Sequence, residues 1–248
     1  MLSIIMPTMW RPKEKHYQRM LPLFNDHPLV GEIIIIDNDT TKADPDIINL
    51  SKVVYLPQEK NIYTHPSWNL GVKHVKHDKI LLHNDDCLAN IKSLEMIYDQ
   101  ITPDKGLIGY SALSYCIYTI DQFDIFAQSG FGDDILIEEL NPADYPSTSG
   151  MPHMSYGCMM YFHKDSFYET PKELKIYYGD LFLYLMNLKN GKQNYQIENG
   201  FVMTQMSATV NSIGTRKDAL SPIDTDEHDL LRPVFNRYGL SNFKYRTV

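Results

Sequence analysis

Lys79-Ile80-Leu81-Leu82-His83-Asn84-Asp85-Asp86 is the stretch on which the fold turns. A short run of apolar residues ends abruptly in a polar, acidic loop. The run is too short for a helix and its apolar side chains follow one another without alternation. It therefore predicts a strand over Lys79 to Leu82. Working outward, the same pattern recurs. Ser3 to Met6 is a short apolar strand followed by Pro7-Thr8-Met9-Trp10-Arg11, and Glu32 to Ile36 is a β-branched strand followed by Asp37-Asn38-Asp39-Thr40. Val53 to Leu56 is a third strand, with Asn61-Ile62-Tyr63 beyond it. Helical spacing lies between them at Lys15 to Phe24, at Pro66 to Val75 with Pro66 in its first turn, and at Ile91 to Ile101. A fifth strand is predicted at Leu107 to Tyr110. Strands and helices alternating in this way predict the α/β class, an open, mostly parallel sheet flanked by helices.

The second half of the chain reads differently. Residues 111–150 mix aromatics, acids and small residues and predict an irregular or β-rich insertion with loops. An apolar strand returns from Tyr156 to Phe162. A helix is predicted from Asp180 to Leu188, ending near Asn190-Gly191. A late strand follows at Phe201 to Met206, and an amphipathic helix at Thr225 to Tyr238 opens with acids that suit a helix N-terminus. The 248 residues are read as a single domain. Residues 1–110 form its regular α/β half and 111–248 its mixed half.

Composition narrows the function. With 43% hydrophobic and 22% charged residues the chain is ordinary for a folded domain. Lys plus Arg number 23 against 31 Asp plus Glu, a net charge of −8. That opposes holding nucleic acid or an anionic membrane by bulk charge. Two local basic stretches, Arg11 to Arg19 and Arg232 to Arg246, leave a basic groove open. The run Ile33 to Ile36 is far short of the roughly 20 apolar residues of a spanning helix, so no membrane span is expected. Met1 to Pro7 lacks a basic region and a cleavage site and reads as a strand, not a leader. Cys87, Cys116 and Cys158 are odd in number and widely spaced, which argues against a disulfide framework and fits a reducing, cytoplasmic setting. Glycine-rich dinucleotide and P-loop signatures, H-E-x-x-H and G-x-S-x-G are all missing, which excludes the enzyme classes built on them.

In open α/β sheets ligands bind beyond the carboxyl ends of the strands, and it is there that polar residues gather, strand after strand. Asp85 and Asp86 stand side by side. Two adjacent carboxylates repel each other unless they are solvated or bridged by a cation. Mg²⁺ and Mn²⁺ take oxygen ligands and commonly use one or two carboxylates plus substrate phosphates. The alternative for such a pair is a solvated turn that caps the next helix. His83, by strand alternation, points elsewhere and suits a structural role.

Taken in order, these motifs resemble the family 2 type of GT-A nucleotide-sugar glycosyltransferases. The match rests on Pro7-Thr8 after the first strand, Asp37-Asn38-Asp39 after the second, and Asn61 followed by Trp68-Asn69-Leu70-Gly71. Asn84-Asp85-Asp86 after the fourth strand completes it, as a variant of the family's D-x-D-like motif. The second half adds a match of its own. Asp180 opens a helix and Gly191 stands eleven residues further on, the spacing of the family's acidic helix. The departures are Trp68, where the family usually has Arg, Gly179, where it usually has a first acid, and the lack of a histidine at Phe201 to Ser207.

The resemblance implies an inverting transfer to an acceptor hydroxyl, with Asp180 as catalytic base and Asp86 as the metal-contacting acid for Mn²⁺ or Mg²⁺. It implies that Pro7, Thr8, Asp37, Asn38, Asn61, Asn69 and Asp85 bind the nucleotide-sugar. A UDP-sugar is favoured as donor. A saccharide or a hydroxymethylated base in DNA of a large virus or phage stands as acceptor. Two other readings stay open. One is a non-catalytic sugar-nucleotide or glycan-binding domain, which Gly179 and Trp68 allow. The other is a sugar-phosphate nucleotidyltransferase, which the absence of glycine from Pro7 to Trp10 disfavours.

Overall fold

The computed structural model describes residues 1–11, 15–110, 120–129, 133–140, 157–204 and 221–240. Its centre is an eight-stranded sheet in the order β3-β2-β1-β4-β8-β6-β9-β7. The strands are β1 (Leu2–Thr8), β2 (Val30–Asp37), β3 (Val53–Pro57), β4 (Lys79–His83), β6 (Ile108–Tyr110), β7 (Leu136–Glu139), β8 (Met159–His163) and β9 (Tyr195–Glu198). β3, β2, β1 and β4 run parallel, as the run of buried β-branched residues requires. β8 enters antiparallel between β4 and β6. Strands from both halves of the chain thus share one sheet.

Ile4, Ile5, Ile33, Ile34, Ile35 and Ile36 are all fully buried, each worth about 1.5–3 kcal/mol of hydrophobic stabilisation. They alternate between two cores. Ile4, Ile33 and Ile35 face the cluster with Tyr17, Met20, Leu21 and Phe24 of α1 (His16–Asp26). Ile5, Ile34 and Ile36 face the cluster with Trp68 and Val72 of α3 (Thr64–His74) and with α6 (Gly179–Lys189). α3 lies close against the sheet because position 71 is glycine: a Cβ there would come 2.4 Å from Ile5 Cγ2. This close approach fixes where the N-terminal end of α3 points, and it is the packing reason for Gly71 in the Asn69-Leu70-Gly71 motif.

A short helix α2 (Pro45–Ile48) and α4 (Ser93–Gln100) complete the N-terminal half. Beyond β4 the chain enters β5 (Cys87–Ala89), which pairs antiparallel with β10 (Val202–Thr204) in a separate two-stranded sheet. The loop Asn84 to Asp86 is thereby held between two sheets. The strand expected over Phe201 to Met206 is seen as β10, and Tyr156 and residues after Thr204 in these predicted strands lie outside the described residues. The expectation of an irregular or β-rich stretch at 111–150 is corrected in part. β7 is a strand, but Ile120–Ser129 forms a helix, α5. Phe123 on that helix packs against Phe201 at 5.4 Å, a tertiary contact that the sequence does not display. The last helix, α7 (Ser221–Arg237), starts earlier than its acidic opening suggested.

Candidate active site

At the carboxyl edge of the parallel strands, polar side chains hold one another. β1 ends in Pro7 and Thr8, and pairing with β4 stops before them, at Ile5 opposite Leu82. Thr8 donates its hydroxyl to Asp85 Oδ2 (2.6 Å) and accepts the Trp10 backbone N–H (2.9 Å). Asp37, fully buried at the end of β2, accepts the Tyr55 hydroxyl (2.6 Å) and the Asp39 N–H (2.8 Å). Burial and the neighbouring Asp37 carboxylate push the Tyr55 phenol well above its ordinary range. Asn38 donates its backbone N–H to the Thr8 carbonyl (2.8 Å). Its side chain accepts from Ile62 N (2.9 Å) and donates to Ser67 Oγ (3.1 Å). Tyr55 and Ser67 carried no motif. Strand alternation in β3, which sets Tyr55 opposite Ile35 on the face of Asp37, is the signal that finds the former.

The acidic loop is buried: Asp85 is 6% and Asp86 7% exposed. Burial, and after it the charge of Asp86, raise the Asp85 carboxyl to about 7, against the pull of the Thr8 hydroxyl and the Met9 N–H. Trp10 closes over this corner with its ring 5.2 Å from Tyr17, in a left-handed backbone conformation (φ 56°). His83 turns away into the core, edge-on to Phe24 at 5.3 Å, and burial lowers its imidazole to about 3. It is held neutral and structural, as alternation suggested.

Asp180 lies in the first turn of α6. Its carboxylate accepts backbone N–H groups of Leu181 (2.9 Å) and Gly157, so the strand entry before β8 orients it. Burial raises its pKa above the ordinary value, and those N–H groups hold the rise in check. Gly179 has a packing reason. A Cβ at that position would stand 2.5 Å from three ring atoms of His65. His65, from the first turn of α3, donates its backbone N–H to the Lys175 carbonyl (3.0 Å) and its Nδ1 to the Leu174 carbonyl (3.3 Å). Its ring lies 4.5 Å from Trp68. The place of an acid beside Asp180 and the place of an Arg at position 68 are thus taken by one buried aromatic pair.

Of the other residues named from the resemblance, Asn61 sits on the rim. It accepts the Tyr63 N–H (2.7 Å) and donates to Met9 Sδ (3.6 Å). Asn69 stands apart, for both ends of its amide are engaged by Thr170: Nδ2 donates to the carbonyl (2.8 Å), and Oδ1 accepts from the N–H (2.9 Å) and from the hydroxyl (3.0 Å). It fastens α3 to the segment before α6.

The remaining residues close into a ring. Asp85 meets Thr8, Thr8 meets Asn38, and Asn38 holds Ile62 beside Tyr63. Tyr63 lies under the Lys175 ammonium, 5.2 Å from ring centroid to nitrogen. Lys175 binds His65, His65 abuts Gly179, and Asp180 reaches Gly157. The next residue, Cys158, accepts the Asn84 N–H (3.0 Å), which returns to the acidic loop. The structure brings Thr8, Asp37, Asn38, Asn61, Asp85, Asp86 and Asp180 to this one ring. Two adjacent buried carboxylates, one of them held up near 7, suit a divalent cation with oxygen preference. Among the described residues no group of three or more His, Cys, Asp or Glu side chains is arranged around a common point. Asp85 and Asp86 are the two side chains of this loop that would offer oxygens to such a cation.

Parallel strands with an acidic loop at the end of the fourth, and an acid-opened helix across from it, make a GT-A-like fold. Residues 3–122 match the model of the family described as Glycosyl transferase family 2. Solved structures agree on the fold. S. aureus TarS residues 1–349 in complex with UDP is 13% identical, with TM-score 0.56, covering 95% of this chain and 72% of that one. The same TarS fragment in complex with UDP-GlcNAc gives the same values. TarS without the fragment limits gives TM-score 0.52 at 14% identity, with 94% of this chain and 43% of that chain covered. No curated protein matches the sequence. Among the described residues no helix is long and apolar enough to cross a membrane.

Proposed function

We propose that this chain is a glycosyltransferase that moves a sugar from a nucleoside-diphosphate sugar to an acceptor hydroxyl with inversion. A UDP-sugar is the favoured donor, since the TarS structures hold UDP and UDP-GlcNAc. The observation that carries the reading is the position of Asp180, aimed by the Gly157 and Leu181 N–H groups and joined through Cys158 to the acidic loop. Asp180 accepts the proton of the acceptor hydroxyl while that oxygen attacks the anomeric carbon. The bond from that carbon to the diphosphate oxygen breaks, and the nucleoside diphosphate leaves with the electron pair. A carboxylate whose pKa is raised by burial is a better base for this than a solvated one. Asp37 and Asn38, locked by Tyr55, Ile62 and Ser67, present fixed acceptors and donors to base or ribose. Asp86, with Asp85 beside it, would hold Mn²⁺ or Mg²⁺, which would supply positive charge toward the departing diphosphate.

A saccharide is the favoured acceptor. Of the basic residues that left a DNA groove open, Arg19 is paired with Asp124 (2.5 Å) and Arg237 with Glu173 (2.8 Å), and Lys13, Lys244 and Arg246 lie outside the described residues. Asp180→Asn tests the reading. It is expected to lower turnover by at least about a hundredfold, the scale of general-base catalysis, with UDP affinity kept. Unchanged turnover refutes the base assignment. A wild-type chain that binds UDP and transfers nothing to any acceptor refutes the enzyme in favour of a binding domain. Asp86→Ala should remove the Mn²⁺ dependence of UDP binding, and equal binding with and without Mn²⁺ in the wild type refutes the metal assignment.

A further inference from the structure

We infer that Arg11 and Asp39 are the side chains that read the donor's base, and that they select a base edge with a carbonyl oxygen beside a ring N–H, as in uracil and guanine. The inference rests on the donor reading above and deepens it, naming the class of nucleotide and two residues not yet given a role. In the sheet, β1 lies between β2 and β4, and β8 lies beyond β4. Asp180 and Gly157 stand toward the start of β8, so the sugar end of the donor belongs on that side of the acidic loop. The nucleoside then lies on the other side, across the ends of β1 and β2. These two strands keep their register to the last residue, with Pro7 opposite Ile36 and Thr8 opposite Asp37. The Asn38 N–H bond to the Thr8 carbonyl (2.8 Å) extends the ladder, so Met9 to Arg11 and Asn38 to Thr40 leave the sheet side by side.

Arg11 is placed by an unusual turn. Trp10 takes φ 56°, the left-handed region that a bulky residue seldom enters. Its N–H is bonded to Thr8 Oγ1 (2.9 Å) and its ring packs edge-on against Tyr17, so the turn is held at backbone and side chain. Arg11 follows, half-buried, and its Nε is enclosed without a hydrogen-bond partner. An enclosed donor on a charged group is costly when no acceptor meets it, and a ligand acceptor relieves that cost.

Asp39 is its counterpart. Where Asp37 is fully buried, the Asp39 side chain keeps 18% of its surface exposed. Thr41 donates its hydroxyl to Oδ1 (2.6 Å), and Lys42 Nζ lies 3.3 Å from Oδ2. The Thr41 hydroxyl first, then Lys42 and Arg11, hold the carboxyl below its ordinary range, so it is ionised at neutral pH and only accepts. A carboxylate has about four lone-pair sites, which leaves room for an N–H of a ligand. A guanidinium only donates. A donor beside an acceptor fits O4 and N3–H of uracil, or O6 and N1–H of guanine. Cytosine and adenine present the reverse, an amino group beside a bare ring nitrogen, and would leave both side chains unpaired, the kind of mismatch that discriminates strongly.

The test is calorimetry of the wild type, Arg11→Met and Asp39→Asn with UDP, GDP, CDP and ADP in saturating Mn²⁺. The wild type is expected to bind UDP or GDP at least about tenfold tighter than CDP and ADP, and the tighter of the two names the base. Both variants are expected to lose that preference, with the weakening confined to the favoured nucleotide. Arg11 Nε has no bond to lose, so Arg11→Met is expected to keep the wild-type melting temperature. A preference that survives in either variant overturns the inference. So does an equal weakening of every nucleotide, which marks a structural role, and so does a wild type that ranks CDP or ADP first or binds all four alike. A wild type that binds none of the four overturns the donor reading beneath the inference, and that outcome is seen before any variant is made.

Discussion

Gly179→Ala puts the packing of the site to a direct test. The new Cβ would lie 2.5 Å from Cδ2, Cε1 and Nε2 of His65, about 1 Å inside ordinary carbon contact. The ring has little room to give way. His65 is 2% exposed, its Nδ1 is bonded to the Leu174 carbonyl, and Trp68, equally buried, lies 4.5 Å away. Overpacking of this kind costs about 1–3 kcal/mol. Against it stands the helix preference for alanine over glycine, up to about 1 kcal/mol in a helix interior and less in the first turn. The steric term wins, for a net loss of about 1–2 kcal/mol. In a chain of this size each kcal/mol lowers the melting temperature by about 2–4 °C. Urea unfolding monitored by fluorescence measures the loss. Repeating the substitution in a His65→Ala background closes a double-mutant cycle, in which Gly179→Ala should lose most of its cost. Gly179→Ala with an unchanged or higher melting temperature in the wild-type background would falsify the claim that His65 occupies the place of the absent acid.

Two further perturbations probe the same geometry. Asn69→Ala removes all three bonds to Thr170 and should cost about 2–3 kcal/mol in stability while leaving the UDP affinity of the folded protein unchanged. A specific loss of UDP binding at constant melting temperature would instead place the amide on the nucleotide. Asp85 carries a pH signature. Its carboxyl is raised from 3.8 to about 7 in the folded chain, so between those values the native state keeps a proton that the unfolded state has lost. This contribution to stability is present below about pH 4 and declines as pH rises to 7. The stability of Asp85→Asn relative to wild type should therefore improve steadily across that window, and a flat difference refutes the buried, uncompensated carboxyl.

Much of the polar edge of the sheet was legible because parallel strands are monotonous. Ile33 to Ile36 announces burial on both faces, Ile80 to Leu82 a strand, and the polar residues that come after such runs are delivered to one edge of the sheet. The helix that Asp180 opens was legible through its apolar run and the Asn190-Gly191 stop. The features that escaped were set by distance along the chain. Nothing near Gly179 shows that His65 fills the space beside it, and nothing near Asn69 names Thr170 as its partner. β9, only Tyr195 to Glu198, is half-buried and too short for alternation to show. α5 carries Ile120 and Phe123 at helical spacing, but its aromatic and acidic composition resembles the loops around it.

The pairing of β5 with β10 has a consequence for how the protein is made. The acidic loop leaves β4, whose outer neighbour is β8, and enters β5, whose partner is β10. Both partners belong to the second half of the chain. A nascent polypeptide that has released only its regular half holds β4 as an open edge, prone to pair with other chains, and an acidic loop secured at one end. The acidic loop is held at both ends only when β10 arrives, so the regular half is not a module that can be transplanted alone. Synthesis order delays the assembly of the acidic loop until α6 has already emerged.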